Sequence, residues 1–267
     1  MKYEAFGVNP ATSSGTEVTS GAATVKGAWT QLIASTGFDY NGFTLKVARN
    51  PTADCGLIDI AIGPAGSETV IVANLPWHLT SKTYAARFPQ SFDLPLRIPA
   101  GSRIAARVSS LAGNGIVCLS GHGRSKAMNT EPVYTRATTY GASEAACGGT
   151  LLQGPHLAVG YSSWVEFSAA ASSRVSAVAM YITNNDVSIA TGIKKLYLAR
   201  GAAGSEKTII DGVPNYIGGE FGFIRGQSMY PMPVDIPAGE RIACRAYYAT
   251  ADGSSIQRVC VIVMGFE

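Results

Sequence analysis

The chain has 267 residues, enough for two domains with cores of their own, and a net charge of only +3 from 21 Lys and Arg against 18 Asp and Glu. Hydrophobic residues make up 46% and charged residues 15%, with a mean hydropathy of +0.14, so the chain is too apolar and too weakly charged to be disordered. The scattered Lys and Arg exclude nucleic acid as a partner, and no apolar run approaches the ~20 residues that span a bilayer.

Residues 1–28 form a lead-in of small residues around Phe6-Gly7. They contain no apolar core of signal-peptide length, which reads as synthesis in a cytoplasm. Strands follow over approximately 29–36, 43–49, 56–62, 68–75, 90–97, 103–109 and 115–121, rich in Ile, Val, Leu, Thr and aromatics and punctuated by Gly, Pro, Asn and Asp. Alternation sets their faces. Ile58, Ile60 and Ile62 point one way and Leu57, Asp59 and Ala61 the other, while Ile104, Ala106 and Val108 face inward and Arg103 and Arg107 outward.

A second lead-in, residues 126–163 with Tyr140-Gly141, opens a repeat of this pattern. Residues 98–107 and 236–245 share eight of ten residues at an offset of 138, which also aligns Ala65-Gly-Ser-Glu68 with Ala203-Gly-Ser-Glu206. Upstream an offset of 135 pairs Trp29 with Trp164, and downstream 144 pairs Val117 with Val261 and Gly121 with Gly265. The expected fold is all-β: two tandem antiparallel β-sandwich domains of jelly-roll type, 1–125 and 126–267. Each is preceded by an extended arm (1–28 and 126–163) that lies on a neighbouring molecule. The run Val259–Met264 is expected to be a buried strand.

Duplication separates scaffold from function, because residues present in both copies serve the shared framework. Glu68 and Arg103 recur as Glu206 and Arg241 and read as repeated structural braces of turns, not as an acid–base pair. The recurring Pro-Ala-Gly is a turn. His78, His122 and His156 have no second ligand at metal-binding spacing, and Asp211-Gly212 and Asp252-Gly253 look like turns rather than calcium loops. No nucleophile motif occurs, and no metal or other cofactor is implied. The five cysteines are an odd count that argues against a complete disulfide framework. Cys118, Cys244 and Cys260 align with Ile262, Ala106 and Ile116 and read as small buried hydrophobes in a disulfide-free chain.

Features found in one copy only are the interface candidates. Trp77-His78 stands where the second copy has Asn215-Tyr216; Tyr247-Tyr248 stands where the first has Val108-Ser109; and Gly218–Gly226 has no close counterpart. Trp77, His78, Tyr216, Tyr247 and Tyr248 are therefore the candidate contact residues, suited to a protein interface or a sugar platform.

On Trp29 and Trp164, the Ala-Gly-Ser-Glu turns and the Ile-Pro-Ala-Gly-x-Arg-Ile-Ala-x-Arg strands, the sequence resembles β-sandwich structural proteins of tailed bacteriophages over nearly its whole length. The resemblance implies a non-enzymatic virion component (capsid decoration, collar, tail or fibre) with no catalytic residues to carry over. Its partners would be other virion proteins and copies of itself in a homo-oligomer, and its location the virion, after synthesis in the bacterial host cytoplasm. A carbohydrate- or receptor-binding module that recognises a host surface glycan is the alternative. A glycan hydrolase is the third reading, and would need two carboxylates about 5–10 Å apart in a cleft.

Overall fold

A computed structural model describes residues 1–9, 15–49, 54–79, 90–126, 132–143, 149–156, 159–182, 192–217, 231–248 and 256–267. Up to residue 126 the described elements are β1 (Tyr3–Phe6), β2 (Thr16–Thr19), β3 (Thr30–Ile33), β4 (Tyr40–Arg49), β5 (Asp54–Ile62), β6 (Thr69–Leu79), β7 (Gln90–Ile98), β8 (Ile104–Val108) and β9 (Ile116–Arg124). Beyond it come β10 (Ala137–Tyr140), β11 (Thr150–His156), β12 (Gly160–Tyr161), β13 (Val165–Ser168) and β14 (Val175–Ile182). The chain ends with β15 (Gly192–Arg200), β16 (Lys207–Ile217), β17 (Met232–Ile236), β18 (Ile242–Tyr248) and β19 (Ile256–Phe266). No helix occurs among the described residues. The period-2 patterning and the Gly, Pro and Asn punctuation leave no room for one.

Pairing in the first half gives two antiparallel sheets, β2-β9-β4-β7 and β3-β8-β5-β6, with β1 beside β2 along β9. This is the strand order of an eight-stranded jelly roll. The second half repeats it as β11-β19-β14-β17 and β13-β18-β15-β16, with β10 in the place of β1. The repeat extends to register. Thr30↔Ala106, Gln31↔Ala105 and Ile33↔Ile104 become Val165↔Cys244, Glu166↔Ala243 and Ser168↔Ile242, with the irregularity at the same step.

Register corrects the alignment of the last strand. Phe6 pairs with Gly121 and Thr16 with Leu119, while their counterparts Tyr140 and Thr150 pair with Val263 and Val261. The offset there is 142, not 144, so Gly123 corresponds to Gly265 and Cys118 to Cys260. Strand pairing also places Tyr247 opposite Lys195 and Ala246 opposite Leu196, as Val108 is opposite Ile58. Tyr247-Tyr248 therefore replaces Ser109-Ser110 rather than Val108-Ser109.

The described parts of the lead-ins pair within the chain itself. β1 and β2 complete the outer sheet of the first half, and β10 and β11 pair with β19. β10 also runs parallel to β6, with Ala137↔Val72 and Thr138↔Ala73, and so joins one sheet of each half into a nine-stranded shared sheet. Each half keeps its own strand order, and the two are fused through one sheet.

The result is three layers. One core lies between the first outer sheet (Phe43, Leu45, Leu94, Leu119) and a shared-sheet face formed by both halves (Ile58, Leu75, Tyr181, Ile262, Met264). The other lies between the opposite face of β14 and β19 (Val178, Met180, Val261, Val263) and the second outer sheet (Leu196, Leu198, Cys244, Tyr248). β14 and β19 are thus covered on both faces. For that reason Val175–Ile182 and Val261–Met264 are almost continuously apolar, whereas strands covered on one side alternate.

Candidate functional site

The repeated Glu–Arg pairs stand at matching turns. Arg103 donates from Nη1 to Glu68 Oε1 (3.1 Å) and to the Gly63 carbonyl (3.3 Å), and from Nε to Gln31 Oε1 (3.1 Å). Arg241 donates from Nη1 to Glu206 Oε1 (3.1 Å) and the Gly201 carbonyl (3.2 Å), and from Nε to Glu166 Oε2 (2.8 Å). The second carboxylate oxygen accepts the N–H of Gly66 in one half and of Gly204 in the other, both at 3.0 Å. Burial works against ionisation of Glu68, but its own N–H, Arg103 and the Gly66 N–H outweigh it and hold the carboxyl below its ordinary range. Each pair ties a strand-connecting turn to the start of β8 or β18. The Pro-Ala-Gly turns just before those strands place Gly101 and Gly239 at φ +79° and +83°, a left-handed conformation that glycine adopts without a Cβ clash.

The one-copy aromatics separate into two groups. Trp77 is 1% exposed and its Nε1 donates to the Ser109 carbonyl (3.2 Å); Tyr248 is fully buried and donates to the Leu152 carbonyl (2.7 Å). Both are core residues with satisfied polar ends, which leaves neither ring on the surface. Tyr247 is half-buried on the outer face of the second outer sheet. The backbones of His78 and Tyr216 lie in β6 and β16, and their side chains fall outside the described residues. Gly218–Gly226, Cys147 and Asp252-Gly253 lie outside them as well. Asp211-Gly212 falls within β16, not between strands. Gly212 (φ +76°) matches Asn74 (φ +58°), and the pairing of β16 and of β6 slips at these positions.

Cys118, Cys244 and Cys260 are thiols outside any disulfide and at most 5% exposed. Burial raises the Cys244 thiol, and burial together with Glu17 raises that of Cys118. Cys55 is disulfide-bonded, which corrects the disulfide-free reading. His122 stands on the outer face of β9 with its ring 5.8 Å from that of Tyr3. Burial, followed by Lys46 and Arg124, lowers its pKa against the pull of Asp93. Among the described residues no three His, Cys, Asp or Glu side chains converge as a metal site would require.

One matched position differs in chemistry between the halves. In the first half, Arg107 packs over Trp29 (4.5 Å) and its Nε donates to Asp59 Oδ2 (2.9 Å), while Lys26 Nζ donates to Asp59 Oδ1 (3.0 Å). The Asn74 N–H adds a third bond to Asp59 (2.9 Å). Burial alone would raise the Asp59 carboxyl; Lys26, Asn74 and Arg107 more than offset it and hold the group below its ordinary value. In the second half the offsets place Tyr161 at Lys26, Tyr197 at Asp59, Arg245 at Arg107, Trp164 at Trp29 and Tyr247 at Ser109. Arg245 Cζ lies 4.2 Å from the centroid of Tyr161, 4.4 Å from Trp164 and 5.3 Å from Tyr197, and the Tyr247 ring lies 4.9 Å from that of Tyr161 at a tilt of 58°. An ion-pair network has become an aromatic cluster around one guanidinium. Tyr247 was legible from sequence as a candidate. Tyr161, Trp164, Tyr197 and Arg245 were not, because they come together only across β12, β13, β15 and β18.

Two jelly rolls sharing a sheet define the class of fold. No protein-family model matches the chain, and no curated protein matches it. Similar solved structures include a chain from the structure of infectious bursal disease virus Gx strain, at 11% identity over 99% of this chain and 72% of that one, with a TM-score of 0.25. Another is from the crystal structure of the infectious bursal disease virus VP2 subviral particle, at 11% identity over 100% of this chain and 72% of that one, with a TM-score of 0.26.

Proposed function

We propose that the chain is a non-enzymatic structural component of a virion, of the tailed-phage kind, that works through multivalent contacts with copies of itself and with other virion proteins. The observation that carries this reading is the architecture. The jelly roll is an architecture of viral capsid and lectin domains, and here two are fused by β10 into a three-layered body. The repeated polar groups support it, since Glu68–Arg103 and Glu206–Arg241 hold turns in place. In this reading 126–267 arose by duplication of 1–125, supported by the strand order and by registers such as β3–β8 and β13–β18 that repeat between the halves. A duplicated body offers two related faces to neighbours in a symmetric shell, collar, tail or fibre. Synthesis in the host cytoplasm before incorporation belongs to the same reading.

The test is a census of purified particles. The chain should be present in a fixed copy number and remain after washing with high salt. A particle lacking it, or a purified monomer that turns over a glycan, would overturn the reading. A glycan- or receptor-binding role on the particle is a second reading, favoured by the aromatic cluster around Arg245.

A further inference from the structure

We propose that the outer face of β12, β13, β15 and β18 is a binding site for an acidic sugar, a uronic or sialic acid residue of a glycan, with Arg245 as the carboxylate ligand and Tyr161 and Tyr247 as the stacking platform. The inference stands apart from the assembly reading, because the site belongs to a single chain.

The molecule supplies its own control. In the first half the corresponding guanidinium has a carboxylate, Asp59, at 2.9 Å, and that acid also takes Lys26. In the second half both partners are replaced by tyrosines, and among the described residues no acid lies within ion-pair distance of Arg245. Its Nε is buried with no hydrogen-bond partner. The Glu166 carboxylate on β13 is engaged by Arg241 at 2.8 Å. Tyr197 supplies no anion, since burial and its hydrogen bond with Tyr161 push its pKa up to about 12. A guanidinium that keeps no counter-ion among the described residues, in aromatic surroundings, has unused directional donors.

The surroundings suit a sugar. Tyr161 shows one side to Arg245 yet remains 48% exposed, and the Tyr247 ring lies 4.9 Å away, tilted by 58° to it, so aromatic surface reaches solvent next to the guanidinium. Stacking of a pyranose on aromatic rings combined with a charge-assisted bond to its carboxylate uses both features at once. Lys195, exposed and opposite Tyr247 in the strand pairing, adds a second cation for an anionic chain. A neutral glycan would leave the guanidinium unanswered, and a simple anion would not use the rings.

The experiment is calorimetric titration of the full chain with oligogalacturonate, its methyl ester and poly-glutamate. Oligogalacturonate should bind, and the methyl ester should bind at least about tenfold more weakly, the equivalent of one charge-assisted hydrogen bond. Tyr161→Ala and Tyr247→Ser, the latter restoring the residue of the first half, should each weaken binding while the variants still melt in one cooperative transition. Arg245→Lys should keep the charge and lose the planar donor set, again weakening the acidic sugar. Equal binding of acid and ester, preference for poly-glutamate, no binding of oligogalacturonate, or binding that survives Tyr161→Ala would each overturn the proposal.

Discussion

Asp59 is 4% exposed and receives two cations and a backbone N–H, so removing its charge leaves Lys26 and Arg107 facing a half-buried site without an anion. Asp59→Asn should cost about 2 kcal/mol, less than a fully buried pair because Arg107 and Lys26 keep some solvent. The Asp59 carboxyl is depressed in the folded state. Its stabilisation is therefore complete above the unfolded pKa of roughly 4 and is lost as pH falls through the folded value. Melting temperature measured against pH should fall on the acid side in the natural chain and flatten there in Asp59→Asn; equal acid limbs would refute the assignment. Gly123 offers a second residue-scale test. A Cβ there would run into the Tyr40 ring, while on Gly265 it would lie 2.8 Å from the Tyr140 ring. Gly123→Ala should destabilise by about 3 kcal/mol and Gly265→Ala by less, read from denaturant midpoints. The thiols of Cys118, Cys244 and Cys260 should label with a thiol reagent only as the fold opens, since none exceeds 5% exposure.

Seven strands of the first half were legible because they alternate, as in Ile58, Ile60 and Ile62 against Asp59. β1, β2, β10 and β11 were not, and they read instead as arms. Their signal is too thin: β1 buries only Phe6 and β2 only Val18, with polar residues between. Deletion of residues 1–24 therefore removes two strands of the chain's own sheet. Phe6 and Val18 each contribute about 1.5–3 kcal/mol of burial, and the exposed flank of β9 becomes a free edge. The truncated chain should melt several degrees lower and aggregate, as followed by thermal denaturation with light scattering. An unchanged melting temperature would show that β1 and β2 do not hold the sheet in solution. The last strand shows a different limit of sequence reading. β19 is apolar on both faces, so Val261 and Gly265 could be aligned two residues out of place without any visible penalty in pattern. The register with β10 and β11 removes that freedom. The aromatic cluster was hidden for the same kind of reason, as no sequence spacing links Tyr161 to Tyr197 and Arg245.

At the scale of the whole molecule, the shared sheet makes β14 and β19 part of both cores. Tyr181, Ile262 and Met264 pack toward the first outer sheet, while Met180, Val261 and Val263 pack toward the second. The halves should therefore unfold together, in one calorimetric transition whose measured and van't Hoff enthalpies agree; two separable transitions would contradict a fused core. The most direct measurement is cryo-imaging of the particle at side-chain resolution. Symmetry-related density should appear that the three-layered body fits, with neighbouring subunits touching both halves. Particles without that density, from cells that make the protein, would contradict the proposed role.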